Sequence, residues 1–100
     1  MEEQTVEFLV EFQSHIPEKA SESEIKARYT AEAEASAQLA REGHLIRLWR
    51  PLVEPGERKA LGLYRASTQA KLDGLLGALP LHDWMQVTVT PLESHPSDPG

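Results

Sequence analysis

Residues 21–50 read SESEIKARYTAEAEASAQLAREGHLIRLWR, and the division of this stretch decides the fold. Ser21 stands three residues before Glu24, the spacing of a capping box, in which each side chain satisfies the other residue's backbone N–H. From Ile25 to about Arg41 the chain is rich in Ala and Glu and holds no Gly or Pro, so a helix is predicted there. Gly43 falls where a left-handed C-terminal cap is expected. His44 to Arg50 then reads as a strand. A long helix thus feeds directly into a strand, and the flanking sequence supplies the rest.

Upstream, Thr5 to Phe12 alternates: Val6, Phe8, Val10 and Phe12 share one face, and Glu7, Leu9 and Glu11 the other, the period of a half-buried strand. A break follows at Ser14-His15-Ile16-Pro17. Downstream, Lys59 to Arg65 reads as a third strand. The loop Pro51 to Arg58 is too long for a two-residue hairpin turn, and the strands it joins are predicted to pair antiparallel. Ser67 or Thr68 caps a second helix whose Leu72, Leu75, Leu76 and Leu79 make one apolar stripe, ended by Pro80. Gly74 and Gly77 each weaken it by about 1 kcal/mol relative to Ala, so it is expected to depend on tight packing against a sheet. Met85 to Thr90 alternates again, with Met85, Val87 and Val89 opposing Gln86, Thr88 and Thr90.

The order β-α-β-β-α-β is that of an α+β, ferredoxin-like domain, a four-stranded antiparallel sheet with two helices on one face. Residues 1–93 form this single domain. Residues 94–100, with two prolines and no periodicity, are either a disordered end or an arm laid on a neighbouring subunit. The sheet face without helices, with Leu9, Leu45, Trp49 and Trp84 near it, is expected to be covered by a second subunit.

Composition narrows the partners. The 100 residues carry 10 Lys+Arg against 16 Asp+Glu, a net charge of -6, and the basic residues are scattered. Binding a phosphate backbone needs clustered cations, so no nucleic acid partner is expected. There is no cysteine, which removes disulfides, thiolate nucleophiles and zinc–thiolate sites. The longest apolar run, Phe8 to Val10, is too short for a signal peptide or a membrane span, and the residues from Met1 to Thr5 include no basic region. A cytoplasmic protein is the expectation. His15, His44, His82 and His95 show no metal-ligand spacing and join no serine triad, so no metal site is expected. The six glycines stand singly, without the pattern of a phosphate loop, and no nucleotide cofactor is indicated.

One residue of the first helix is out of place for a surface. On the helical wheel Ile25, Tyr29, Glu32, Ser36 and Leu39 form one stripe, opposite Lys26, Thr30, Glu34, Gln38 and Arg41. Glu32 therefore points inward. A carboxylate turned into a core is costly unless paired, hydrogen-bonded or protonated, and desolvation moves its pKa toward the range useful for proton transfer. Either Glu32 is catalytic, or it reaches the sheet edge or pairs with an arginine such as Arg47 or Arg50. In the second strand Arg47 and Trp49 share one face, and His44, Ile46, Leu48 and Arg50 the other. An arginine beside an aromatic wall suits a small carboxylic acid, because its fork fixes orientation as well as charge; an edge arginine bridging subunits is the alternative. His82-Asp83-Trp84, between the second helix and the fourth strand, could line a pocket mouth.

Arg41-Glu42-Gly43 leading to Leu48-Trp49-Arg50, then Leu79-Pro80-Leu81 followed by Trp84-Met85, Val87 and Val89, and finally His95-Pro96-Ser97, are in an order that resembles the muconolactone Δ-isomerase family of aromatic catabolism. Phe8 and Val10 belong to the same resemblance, which covers nearly the whole chain. It implies a ferredoxin-like subunit of the dimeric α+β barrel group, assembled as a homo-oligomer from dimers up to a decamer. It also implies a cofactor-independent shift of a double bond in a small lactone acid, with Glu32 taking the ring proton and returning it two carbons away. On the same resemblance Arg50 and Trp49 hold the substrate carboxylate and wall the ring, with Arg47 as the other candidate cation, and Tyr29 and Trp84 complete the binding site. The sequence differs from the family pattern in having Arg47 where a histidine precedes Leu-Trp-Arg, Ala33 in place of a lysine, and His82-Asp83-Trp84-Met85 in place of Phe-Pro-Tyr-Met. Leu61-Gly62-Leu63-Tyr64 likewise replaces an Asn-Tyr pattern, and the Pro51 to Arg58 loop is longer. Two other functions suit the same fold: a non-catalytic barrel that binds a metabolite or only oligomerises, and a cofactor-free oxygenase or cyclase acting on a polyketide-like aromatic.

Overall fold

The Ser21 hydroxyl accepts the N–H of Glu24 at 3.1 Å and starts a helix, α1, over Glu22–Arg41. The Glu24 carboxylate does not return to Ser21 as a full capping box would have it; it turns to Arg28, 3.9 Å away on the next turn. At the other end Gly43 adopts φ +83°, the left-handed conformation that a Cβ disfavours. It brings the His44 N–H to the Leu39 carbonyl at 2.9 Å and its own N–H to Ala40 at 3.1 Å, the paired bonds of a Schellman cap. The chain leaves this cap already aimed into the sheet.

In this computed structural model, which describes residues 4–52 and 58–100, the sheet strands are β1 (Val6–Ser14), β2 (Leu45–Trp49), β3 (Lys59–Ala66) and β4 (Met85–Leu92). A second helix, α2 (Gln69–Gly77), and a 3₁₀ turn, His82–Trp84, precede β4. The described residues form a four-stranded sheet in the order β2-β3-β1-β4, every neighbour antiparallel. This is the ferredoxin-like arrangement expected from the element order. The loop predicted from Pro51 to Arg58 lies mostly outside the described residues. Among them no helix is long and apolar enough to cross a membrane.

Phe8, Val10 and Phe12 of β1 face the helices and are buried together with Leu39 of α1 and Leu72, Leu76 and Leu79 of the α2 region. On β3 the helix-facing residues are Ala60, Gly62, Tyr64 and Ala66, opposite Phe12, Val10, Phe8 and Val6. Gly62 is required there. A Cβ at this position would overlap Cε1 of Tyr64 and lie 3.1 Å from its Cδ1. The tyrosine ring thus lies back along its own strand over residue 62, where it meets Phe12 edge-on at 6.1 Å between centroids.

Two expectations need correction. Strand β2 does not alternate throughout, because its register with β3 shifts between Leu45 and Arg47. The extra residue of this bulge returns Leu45 to the helix side, where it is buried, while Arg47 and Trp49 remain opposite Leu63 and Leu61 on the other face. Trp84 is likewise buried, beneath α1 rather than on the helix-free face. Helix α2 is capped by Thr68, whose hydroxyl accepts the Lys71 N–H at 3.1 Å, and ends at Gly77, before Pro80. Its glycines are not packing contacts: a Cβ at Gly74 or Gly77 would meet nothing within 4 Å, and Leu72 and Leu76 hold the helix to the sheet. Gly74→Ala is therefore expected to raise stability, by about 0.4–1 kcal/mol through the unfolded state. Urea denaturation checks this, and a lowered midpoint would contradict the open surface seen at Gly74.

The helix-free face carries Leu9, Leu61 and Leu63, all half-buried, and Trp49, 39% exposed. The Arg47 guanidinium lies over the Trp49 ring at 5.1 Å, and Glu7 pairs with Arg65 at 3.2 Å.

Candidate functional site

Helix α1 presents Ile25, Tyr29, Glu32, Ser36 and Leu39 on its inner, partly or fully buried side, and Lys26, Thr30, Glu34, Gln38 and Arg41 on its exposed side. Glu32 is thereby carried under the helix toward the sheet. Its partner is not an arginine but a main-chain group: Oε1 accepts the Leu81 N–H at 3.0 Å. Among the described residues Oε2 has no hydrogen-bond donor, which leaves one oxygen for chemistry. Burial raises the carboxyl pKa above its usual 4.5, and the Leu81 N–H, by favouring the charged form, offsets part of that rise.

The segment that supplies this N–H is held by the preceding turn of the same helix. Arg28, four residues before Glu32, donates from Nη1 to the Pro80 carbonyl at 3.1 Å and to Oδ1 of Asp83 at 2.6 Å. The Pro80–Leu81 peptide is thus gripped at its carbonyl by Arg28 and at its N–H by Glu32. The Arg28 guanidinium also lies over the Trp84 ring, 4.3 Å from the centroid, a cation–π contact that fixes its plane. Its hydrogen bond holds the Asp83 carboxyl below the usual range. The Trp84 carbonyl accepts the His15 N–H at 2.6 Å and ties the turn to the chain leaving β1.

One turn before Glu32 on its other flank, the ring of Tyr29 is half-buried, with the Arg58 guanidinium 5.9 Å from its centroid. Below, on the sheet, lies Tyr64. Burial and the negative charge of Glu32 push its phenol up to about 12.

Of the residues predicted for the site, Glu32, Tyr29 and Trp84 are gathered around the N-terminal half of α1. Arg47 and Trp49 are on the opposite face of the sheet, and Arg50 is exposed just beyond β2. Sequence reasoning missed Arg28, Arg58, Tyr64 and the Leu81 amide. Arg28 had a signal, its i−4 spacing from Glu32; a main-chain donor has none. A separate open hollow of about 840 Å³ between the start of β1 and the C-terminal segment, lined by Thr5, Arg65, His95 and Asp98 among others, contains none of the predicted site residues.

Comparison with known proteins adds to this geometry. The family model of muconolactone delta-isomerase matches residues 6–98. Muconolactone Delta-isomerase 1 of Acinetobacter lwoffii is 38% identical over 74 residues, covering 74% of this chain and 71% of that protein. Muconolactone Delta-isomerase of Cupriavidus pinatubonensis (strain JMP 134 / LMG 1197) is 34% identical over 93 residues, 90% of this chain and 95% of that one. A crystal structure of muconolactone isomerase superposes with a TM-score of 0.84 at 26% identity, covering 94% of this chain and 95% of that chain. A variant of SnoaB, a cofactor-independent oxygenase from Streptomyces nogalater, reaches a TM-score of 0.52 at 16% identity over 96% of this chain and 98% of that one, a likeness of fold alone.

Proposed function

Since this chain belongs to the muconolactone delta-isomerase family and is an isomerase, we propose that it converts muconolactone, or a closely related butenolide acid, to the isomeric enol-lactone by a 1,3-proton shift at Glu32. The observation that carries this reading is the state of Glu32: half-buried, raised in pKa and held by one main-chain donor. Such a carboxylate is a base strong enough for a ring proton that is acidified by the lactone carbonyl through the conjugated double bond, and its conjugate acid can return that proton two carbons away. The reaction needs no cofactor, because the electrons never leave the substrate. They run from the broken C–H bond through the double bond to the carbonyl oxygen and back.

Tyr29 and Trp84 wall the ring. Arg58, above Tyr29, is the cation placed to receive the substrate carboxylate, with Arg50 at the other end of the same loop. Arg47 and Trp49 face away from Glu32, and their role on this reading is assembly: the apolar helix-free face of the sheet packs against a second copy in a homo-oligomer. Sedimentation equilibrium of the purified protein tests that assembly, and a monomer at micromolar concentration contradicts it.

The activity is tested by following muconolactone conversion by ultraviolet absorbance across pH. Turnover is expected without added metal or cofactor. Because Glu32 must be ionised to act as base and its pKa is raised, the acid limb of kcat/KM is expected above pH 4.5, with activity lost as the pH falls through it. No turnover at any pH would remove the substrate assignment, and a limb at the ordinary glutamate value would remove Glu32 as the titrating base.

A further inference from the structure

We propose that the Tyr64 hydroxyl is the hydrogen-bond donor that receives the negative charge developing on the lactone carbonyl oxygen, and that Gly62 is the residue that allows it to reach that oxygen. The proposal rests on the isomerase reading above and supplies a group which that reading lacks: an electrophilic partner for Glu32.

Four observations carry it. Along the helix-facing side of β3, between Ala60 and Ala66, Tyr64 is the single residue with a polar side chain. Its ring is not upright but laid over Gly62, in space that any Cβ there would occupy, and is kept there by the edge of Phe12. The residue is 2% exposed, yet among the described residues its hydroxyl has no hydrogen-bond partner, and its oxygen is not sealed off as a buried orphan. The O–H at the tip of this buried ring therefore reaches accessible space with no protein acceptor, where a ligand oxygen can take its hydrogen bond. Finally, Glu32 on the inner side of α1 and Tyr64 on the helix-facing side of β3 both point into the layer between helix and sheet, and burial, with the Glu32 charge adding to it, holds the phenol in its protonated form.

The electron flow gives the pairing its sense. Glu32 takes the ring proton on Oε2; the C–H pair forms the new ring double bond, the old one shifts, and the charge arrives on the carbonyl oxygen. Before the transfer the negative charge in reach of Tyr64 is on Glu32, and after it that charge is on the substrate oxygen. The phenol keeps its own proton throughout and stabilises the dienolate as a fixed donor. Glu32 then protonates the carbon two positions away, and the charge returns.

Tyr64→Phe retains the ring and removes only the hydroxyl. Its kcat on muconolactone is expected to fall about 10²–10³-fold, the usual cost of losing an oxyanion donor, with KM changed less than about threefold, the pattern of an interaction made only in the transition state. A ring that serves only as a wall would instead raise KM at constant kcat. Gly62→Ala, by displacing the ring, is expected to lose a similar factor, and Gly62→Ala combined with Tyr64→Phe to be no slower than Tyr64→Phe alone. If the parent turns over and Tyr64→Phe stays within about twofold of it, an effect too small for such a donor, Tyr64 is not the donor, and the isomerase reading survives. If the parent itself does not act on the lactone, both readings fall together. Tyr64→Phe decides the matter even where Gly62→Ala does not fold.

Discussion

Glu32→Gln is expected to lower kcat for muconolactone by about 10²–10⁴-fold, the range over which a positioned acid–base group acts, and at the same time to make the protein more stable at neutral pH. The amide keeps an oxygen for the Leu81 N–H but cannot carry the ring proton from one carbon to another. The stability change follows from linkage. Because the folded-state pKa of Glu32 is raised, the folded protein binds this proton more tightly than the unfolded chain does. Its contribution is most favourable below the unfolded pKa and is lost as the pH rises through the folded one. Above that point the parent bears the cost of a desolvated charge that the glutamine variant lacks. The Tm advantage of Glu32→Gln is therefore expected at pH 7 and should fade as the pH falls through the raised folded-state pKa toward 4.5, and be gone below that, where parent and variant are both neutral at this position. Equal kcat in the two proteins would remove Glu32 from the chemistry. A variant less stable than the parent at pH 7 would show that the ionised carboxylate is a net structural asset instead.

Trp84→Ala is expected to cost about 3–5 kcal/mol, the range for deleting a large buried aromatic. That is a large share of the roughly 5–15 kcal/mol by which a domain is usually stable. Trp84 is 6% exposed, and its ring is also the surface on which the Arg28 guanidinium lies. Its removal leaves a cavity and frees the cation that holds Pro80 and Asp83. The loss therefore reaches the site: the turn that presents the Leu81 N–H is no longer fixed against α1. Trp84→Phe, which preserves a smaller aromatic face, is expected to lose less in both stability and turnover. Denaturation followed by circular dichroism, set beside kcat for the same variants, checks the link. A Trp84→Ala protein with near-parental stability would show that the turn is held by Arg28 and Glu32 alone.

The parts of this fold that could be read in advance are those specified by neighbours in sequence. The Ser21 cap, the inner stripe of α1 with Glu32 on it, the Gly43 exit and the alternation of β1 and β4 are all set within a few residues. The faces of β2 were not, because a bulge is fixed by register against β3 and leaves no mark in the alternation of a short strand. For the same reason Arg47 and Trp49 looked like neighbours of Glu32 when a sheet separates them. The carboxylate's actual partner is an amide 49 residues further on, and a main-chain donor has no residue type to announce it. Tyr64 was hidden differently. Leu61 and Leu63 share one face of β3 while Tyr64 stands on the other among Ala60, Gly62 and Ala66, and the significance of Gly62 emerges only when the ring is seen lying across it.

That overlap has a consequence for how this segment can vary. Positions 62 and 64 point the same way and share a single volume on the helix-facing side of β3, so a side chain at 62 cannot be chosen independently of the ring at 64. A bulky residue at 62 is compatible only with a small one at 64, or with a ring that swings elsewhere. The sterics predict paired exchange between these two positions across related sequences, a ring supplied from one or the other. Bulk gained at 62 while the ring stays at 64 should be rare, and a chain with bulk at both should be found only where the layer above this strand has moved outward to make room.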